Sequence, residues 1–258
     1  MKKKFLMVLI VIIPALLYSQ DVGEIRSKYM QGVQALANNN LIDAESYLNE
    51  VISFPDSKGV YDRYKSKAYY FLGDVFFIKQ DYVKSITYYK TVVQKFINQD
   101  IYSKTLYKLG RTLVINNRLD EGIAVLNDYI AKYDDSDKMS DNALYWIGRG
   151  YVGKCEYNAG LSLFQLILNK YPETALSYDI RSSIASLTKL IDEENKEKLR
   201  IAGITNEIQL LKQKNEQLVK GRELLEKMSH LLIIKQRLLE IKSDKIKILE
   251  KLKENREM

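Results

Sequence analysis

A pattern of small and large positions recurs four times between residues 22 and 190 of this chain. Each copy contains a glycine, a small residue twelve positions later, and large residues sixteen and nineteen positions later. The glycines are Gly32, Gly73, Gly110 and Gly148, and the residues sixteen positions later are Leu48, Tyr89, Leu126 and Phe164. Fourfold agreement at spacings of 41, 37 and 38 residues indicates an internal repeat.

The spacing within each copy predicts two helices joined by a short polar turn. A glycine on the first helix and a small residue on the second allow close approach, while residues three apart share one helix face. One helix pair cannot bury its apolar face alone, so the pairs should stack into an all-α solenoid. The predicted repeats cover about 22–55, 62–97, 100–134 and 138–172, followed by a closing helix over 174–191.

Residues 192–258 have a different pattern, which predicts a coiled coil. They contain no aromatic residue, and Ile or Leu recurs every seven positions at Ile204, Leu211, Leu218, Leu225, Leu232, Leu239 and Ile246. Ile208 and Asn215 lie four positions after Ile204 and Leu211 and form the second line of the coiled-coil seam. A polar Asn in this line fixes the register and favours two strands. We therefore expect a homo-oligomer in which Asn215 faces its own copy. The alternative is a monomeric hairpin that turns at Gly221.

The first twenty residues match a secretory signal peptide. Lys2–Lys4 precede Phe5–Tyr18, a run of fourteen residues without a charge. A membrane-spanning helix needs about 20 apolar residues, so this run favours a signal peptide over a stable membrane span. We expect residues 1–20 to direct export to the periplasm and to be cleaved near Ser19. An uncleaved inner-membrane anchor is the alternative.

Composition and charge argue against several classes of function. The net charge is +7, but three of the basic residues are Lys2–Lys4, and residues 21–190 hold 21 basic and 20 acidic residues. We expect no nucleic-acid partner, because such binding concentrates positive charge on one face. The single Cys155 and the single His230 cannot form a structural zinc site or an intramolecular disulfide. We expect no metal, no cofactor and no enzymatic activity, with Cys155 buried.

Three segments carry a resemblance to a known family. Ala68–Gly73 and Ala143–Gly148 resemble the first helix of tetratricopeptide repeats, and Lys170–Thr174 is similar to repeat endings in bacterial envelope proteins. Those proteins include the cell-division coordinator associated with the Tol–Pal system and the lipoprotein of the outer-membrane barrel-assembly machinery. The resemblance implies a non-enzymatic scaffold that binds peptide segments of other envelope proteins in a concave groove.

The same resemblance singles out candidate binding residues on the first helices. It implies that the residue three positions before each glycine faces the groove. In this chain these residues are Tyr29, Tyr70, Tyr107 and Tyr145. The neighbouring groove positions carry the basic residues Lys67, Lys104, Arg111 and Arg149. Tyrosine suits peptide contacts and arginine can fork onto a carboxylate. Alternatively, the tyrosines only pack between neighbouring first helices.

Two functional hypotheses follow from these patterns. In the first, the chain is an exported adaptor whose groove binds envelope proteins during envelope assembly or cell division. In the second, it is a structural tether or oligomerisation protein whose coiled coil makes the main contacts and whose repeats act as a spacer.

Overall fold

The computed structural model describes residues 21–55, 59–133 and 139–254, with side chains as far as residue 247. The predicted signal peptide, residues 1–20, lies outside the described residues, and so does the end of the predicted coiled coil. Within the described ranges the chain is helical and contains no strand. None of these helices has the length and apolar content needed to cross a membrane.

Four helix pairs follow one another along the chain, as the repeat pattern predicts. The first members are α1 over 21–37, α3 over Asp62–Ile78, α5 over Tyr102–Ile115 and α7 over Ser140–Gly153. The second members are α2 over Leu41–Ser53, α4 over Tyr82–Lys95, α6 over Leu119–Tyr133 and α8 over Tyr157–Lys170. One long helix, α9 over Ser177–Glu254, comes after them.

The repeat glycines explain how the two helices of a pair fit together. A Cβ atom on Gly73 would lie 2.3 Å from Cε1 of Tyr89, and one on Gly148 would lie 2.7 Å from Cε1 of Phe164. Any larger residue would therefore collide with the large side chain sixteen positions later. The small residue on the second helix adds a contact in the second repeat, where the Ser85 hydroxyl donates to the Gly73 carbonyl at 2.8 Å.

The turns inside the four pairs share one backbone conformation. Asn39, Gln80, Asn117 and Cys155 all have φ between 58° and 60°, in the left-handed region. In the first two pairs the following residue caps the second helix, since Asn40 accepts from the Asp43 amide and Asp81 from the Lys84 amide. The expectation that Cys155 is buried is wrong, because its place in a surface turn leaves it exposed.

The chain divides into two compact units, Met1–Ile191 and Asp192–Met258. In the first unit the start of α9 packs on the last repeat, where Ile180 and Leu187 join Phe164 and Ile167 in one buried cluster. In the second unit every side chain described, from 192 to 247, is exposed.

Helix α9 differs from the sequence prediction in its extent. The predicted closing helix over 174–191 does not end at residue 191, because Ser177–Glu254 is a single helix. The helix also continues through Gly221 without a turn. The chain therefore does not adopt the hairpin in this structure. The all-α repeat solenoid followed by a long C-terminal helix is confirmed.

Candidate functional site

The odd-numbered helices α1, α3, α5 and α7 lie side by side, and we call the surface they share the odd-helix face. Tyr29 of α1 lies 5.7 Å from Tyr64 of α3, measured between ring centroids. Arg111 of α5 contacts Phe77 of α3 and Trp146 of α7. All eight candidate binding residues of the sequence analysis lie on these four helices.

Three of the four candidate tyrosines are buried. Tyr70, Tyr107 and Tyr145 retain 8%, 4% and 8% of their exposure. The ring of Tyr70 lies 6.2 Å from that of Tyr89, and the ring of Tyr145 lies 5.7 Å from that of Phe164. Burial is also the main cause that raises the pKa of Tyr70 and of Tyr107. Tyr89 and Phe164 belong to the second helices of the same repeats, so these rings pack inside their own helix pairs and not only between neighbouring first helices.

The remaining tyrosine, Tyr29, and the two candidate lysines, Lys67 and Lys104, have different surroundings. Tyr29 is half-buried against Tyr64 of the next repeat. The Lys67 ammonium lies 2.9 Å from a carboxylate oxygen of Asp100, and its hydrogen bond is the main cause that lowers the pKa of Asp100. Lys104 is exposed. Since Lys67 is already paired, it contributes little free positive charge to the odd-helix face.

Arg111 occupies the centre of this face, between two aromatic rings from different repeats. Its guanidinium carbon lies 4.8 Å from the ring centroid of Phe77 on α3 and 5.4 Å from that of Trp146 on α7. Both distances are within the range of cation–π attraction. Its Nε atom is buried and finds no hydrogen-bond acceptor among the described residues. Arg111 is thus held in place by rings and not by a carboxylate.

Arg149 continues this arrangement along α7. Its guanidinium carbon lies 5.9 Å from the ring centroids of both Trp146 and Tyr145. One of its Nη atoms donates to the Tyr145 hydroxyl at 3.0 Å, and the side chain remains exposed. We call Phe77, Arg111, Trp146 and Arg149 the arginine–aromatic row.

A polar cluster beside the row explains why Arg111 has no acidic partner. Asp74, one helical turn before Phe77, accepts hydrogen bonds from the Lys108 ammonium at 2.7 Å on both carboxylate oxygens. The Tyr89 hydroxyl also donates to Asp74. Since Lys108 already pairs with this carboxylate, Asp74 is not free to pair with Arg111. Neither arginine of the row has an ion pair among the described residues. A cavity of about 50 Å³ lies between this cluster and Arg111, large enough for ordered water.

A larger cavity lies at the other end of the row. It has a volume of about 270 Å³ and lies between α7, α8 and the start of α9. Arg149 lines it together with the hydroxyl-bearing residues Ser182, Ser183 and Ser186 and with apolar side chains that include Leu187 and Leu190. One positive charge, several hydroxyl groups and an apolar wall suit a peptide segment that carries a carboxylate.

Phe77, Trp146 and Lys108 belong to the site but are not among the residues predicted from the sequence. The predicted residues lie six and three positions before each glycine or directly after it. Lys108 and Trp146 lie two positions before their glycines, and Phe77 lies four positions after Gly73. Reading the first helices one turn further, and noting that Trp146 is the single Trp, could have pointed to them.

Other chemistry has little support in the described part of the chain. No group of three or more His, Cys, Asp or Glu side chains there is placed to hold a metal ion. Cys155 is exposed in its turn, and His230 is exposed on α9. Neither lies on the odd-helix face.

Comparison with known proteins gives a likeness of fold. No family model matches the chain, and no curated protein matches it. A solved structure of a putative kinesin light chain with nearly identical TPR-like repeats, from Podosopora anserina, has a TM-score of 0.53 at 12% identity and covers 67% of this chain and 89% of its own. A solved MamA structure from AMB-1 has a TM-score of 0.50 at 13% identity, covering 67% and 85%. The fold is a tetratricopeptide-like repeat solenoid. At these identities the likeness is one of fold alone.

Proposed function

We propose that this chain is a non-catalytic scaffold that binds carboxylate-bearing segments of other proteins on its odd-helix face. The observation that carries the proposal is the placement of Arg111 between Phe77 and Trp146 without a carboxylate partner. Because its neighbours are aromatic rings, the guanidinium has no carboxylate acceptor among the described residues, and its terminal N–H groups remain for a bound ligand. Those groups match the geometry of a carboxylate, with which arginine forms paired hydrogen bonds.

The surroundings of Arg111 strengthen this interpretation. Arg149 contacts the same indole ring and provides a second, exposed positive charge. The cavity beyond Arg149 offers hydroxyl groups and apolar walls to the neighbouring part of a peptide. The buried tyrosines support the helices behind the row, so the arginines and not the tyrosine rings would make the main contacts.

A displayed peptide library, panned against wild type and against the double variant Arg111→Met and Arg149→Met, tests the proposal. We expect wild type to enrich peptides that contain Asp, Glu or a free C-terminus, and the variant to lose them. The matched control is Arg118→Met with Arg200→Met, which removes two arginines that already pair with Glu121 and Glu197. Enrichment of the same peptides by wild type and by the double variant would contradict the proposal.

We further propose that the scaffold is exported and works in the cell envelope. The Lys2–Lys4 cluster and the apolar run after it support export. The resemblance of the repeats to those of bacterial envelope proteins supports a part in envelope assembly or cell division. N-terminal sequencing of the mature protein checks this: a start near residue 20 supports cleavage, and an intact Met1 in a membrane fraction supports the anchor alternative. Recovery of intact Met1 from a soluble cytoplasmic fraction would exclude export.

The second candidate function is the structural tether, favoured by the exposed Ile and Leu side chains of α9. A pulldown from envelope extract separates the two functions. The double variant in Arg111 and Arg149 should lose partners if the odd-helix face binds them. It should keep all of them if α9 makes the main contacts.

A further inference from the structure

Helix α9 exposes an apolar stripe along its described residues. Ile201, Ile204, Ile208, Leu211 and Leu218 retain between 45% and 60% of their exposure. An apolar stripe on a helix is stable in water only when another surface covers it. Because α9 runs through Gly221 without a turn, the second half of the helix does not fold back to cover the first.

The order of residues along the stripe indicates what that surface is. Ile201, Ile208 and Asn215 occupy the first position of successive heptads, and Ile204, Leu211 and Leu218 occupy the fourth. β-Branched residues at the first position with leucine at the fourth favour two parallel strands, and Ile208 with Leu211 and Leu218 follows that rule, while Ile204 is the exception at the fourth position. A second copy of the same helix meets this requirement without any further assumption.

Asn215 distinguishes between the two possible orientations. In a parallel, in-register pair the first position faces the first position of the other helix, so Asn215 meets Asn215 and each amide has a partner. In an antiparallel pair the first position faces the fourth. In the register that pairs Glu207 with Lys214 of the second copy, Asn215 would then face Ile204 and lose its hydrogen bonds, which is costly when the amide is buried.

The flanking charges agree with the parallel orientation. Glu207 is at the seventh position of its heptad, and Lys212 is at the fifth position of the next one. In a parallel pair these positions face each other across the seam, so Glu207 of each helix would meet Lys212 of the other. Within the described residues neither side chain has an ion pair in its own chain, so both remain available.

We propose that residues 201–219 form a parallel, in-register, two-stranded coiled coil with a second copy of this chain. The proposal concerns α9 and does not depend on the function of the odd-helix face. If both hold, one assembly carries two binding faces, and a partner with two acidic segments binds more tightly through avidity.

The pairing segment ends near residue 219 because the seam changes there. Continuing the heptads places polar residues at the first position, namely Arg222, Ser229, Gln236 and Ser243. Leu225, Leu232, Leu239 and Ile246 continue the fourth position alone. In this heptad frame the second half of α9 therefore lacks the first-position half of the seam. Its exposed Leu231, Ile234, Leu238 and Ile241 follow a shifted frame, so the seam of 201–219 does not continue through them.

Sedimentation equilibrium of the full mature chain tests the assembly. We expect wild type to be a dimer and Leu211→Asp to be a monomer. The matched control is Gln213→Asp, which introduces the same charge on the outer face of the helix and should remain a dimer. A wild type that is monomeric at tens of micromolar, or that forms trimers, overturns the proposal. Because all aromatic residues lie at or before Tyr178, near-ultraviolet circular dichroism verifies the repeats in every variant.

Disulfide trapping tests the orientation. In a Cys155→Ser background, Ile204→Cys should form an interchain disulfide in a glutathione redox buffer, because the fourth positions face each other in a parallel pair. Asn206→Cys, on the outer face, is the control and should remain unlinked. A wild-type dimer whose Ile204→Cys variant stays unlinked would overturn the parallel register.

Charge exchange provides an independent check of the register. Glu207→Lys should weaken the dimer, because it places two positive charges at the paired positions. Adding Lys212→Glu should restore the dimer by reversing the pair. A double variant that is as weak as Glu207→Lys overturns the pairing of these two residues.

Discussion

At the scale of single residues, each turn inside a repeat has one residue in an unusual backbone conformation. These residues are Asn39, Gln80, Asn117 and Cys155. All four have positive φ, a conformation that asparagine and glycine tolerate better than other residues. Two of the four turns already use asparagine. The remaining two carry side chains that are less suited to this backbone, so each is a place where stability can be gained.

We expect Cys155→Asn to stabilise the repeats by about 0.5–1 kcal/mol, because asparagine adopts the left-handed conformation at lower cost. The measurement is urea denaturation followed by the fluorescence of Trp146. Cys155→Ala is the matched control, since alanine removes the thiol without relieving the backbone. Equal stability of the two variants would show that the conformation at this turn does not limit stability.

We expect Gly73→Ala to destabilise the second repeat by about 1–3 kcal/mol, the usual cost of overpacking a core. The added methyl group would lie 2.3 Å from the Tyr89 ring. Gly203→Ala is the control, because a Cβ there has nothing within 4 Å. That control should stabilise α9 by up to about 1 kcal/mol through helix propensity. Thermal melts followed by circular dichroism at 222 nm should move in opposite directions for the two variants, and a shared direction would contradict this account of Gly73.

The sequence predicts the packing inside a repeat better than the contacts between repeats. The approach of Gly73 to Tyr89 could be read from a spacing that recurs four times. The placement of Arg111 between Phe77 and Trp146 could not, because it depends on how three successive first helices stack. The error about Cys155 has a similar origin: an unpaired thiol suggests burial, but its turn position decides its exposure.

At the scale of elements, the Asp74 cluster joins α3, α4 and α5. Lys108 donates to both oxygens of Asp74, and Tyr89 donates to one of them. The Lys108 ammonium also lies 4.3 Å from the ring centroid of Tyr70. Asp74 and Lys108 keep 17% and 27% of their side-chain exposure, so solvent screens this pair less than a pair on the open surface.

We expect Lys108→Met to destabilise the repeats by about 1–3 kcal/mol, because it leaves the carboxylate of Asp74 without its cation. Lys90→Met is the matched control: its exposed pair with Glu121 should be worth about 0–1 kcal/mol. Adding Asp74→Asn to Lys108→Met should recover part of the loss. Equal effects of the two lysine substitutions on the urea midpoint would show that the cluster is no stronger than a surface ion pair.

The sequence does not decide one feature of the fold, which is whether the chain turns at Gly221 or continues as one helix. The heptad pattern predicts helix on both sides of Gly221, but a glycine in such a place is compatible with a turn or with a continuous helix. A Cβ on Gly221 would meet nothing within 4 Å, so no packing demand explains this glycine. In the structure the helix is continuous, and the sequence contains no proline after residue 178 that would interrupt it.

At the scale of the whole molecule, the repeat unit and α9 offer two surfaces of different chemistry. The odd-helix face presents two arginines that have no acidic partner in the described structure, beside aromatic rings. The exposed part of α9 presents an apolar stripe with a single asparagine. In our proposal the first surface binds an acidic segment of another protein and the second binds a copy of the chain, so that one assembly holds more than one partner.

The fluorescence of Trp146 offers the most direct test of this account. Trp146 is the only tryptophan in the chain and contacts both arginines of the row, so a ligand that binds them should change its emission. The titrant is an acidic peptide obtained from the library, and its amide counterpart, with Gln and Asn in place of Glu and Asp, is the control. We predict a saturable change with the acidic peptide that weakens at least tenfold in affinity in Arg111→Met, as expected for the loss of about 1.4 kcal/mol or more. Equal binding of the two peptides, or undiminished binding by a folded Arg111→Met variant, would contradict the account.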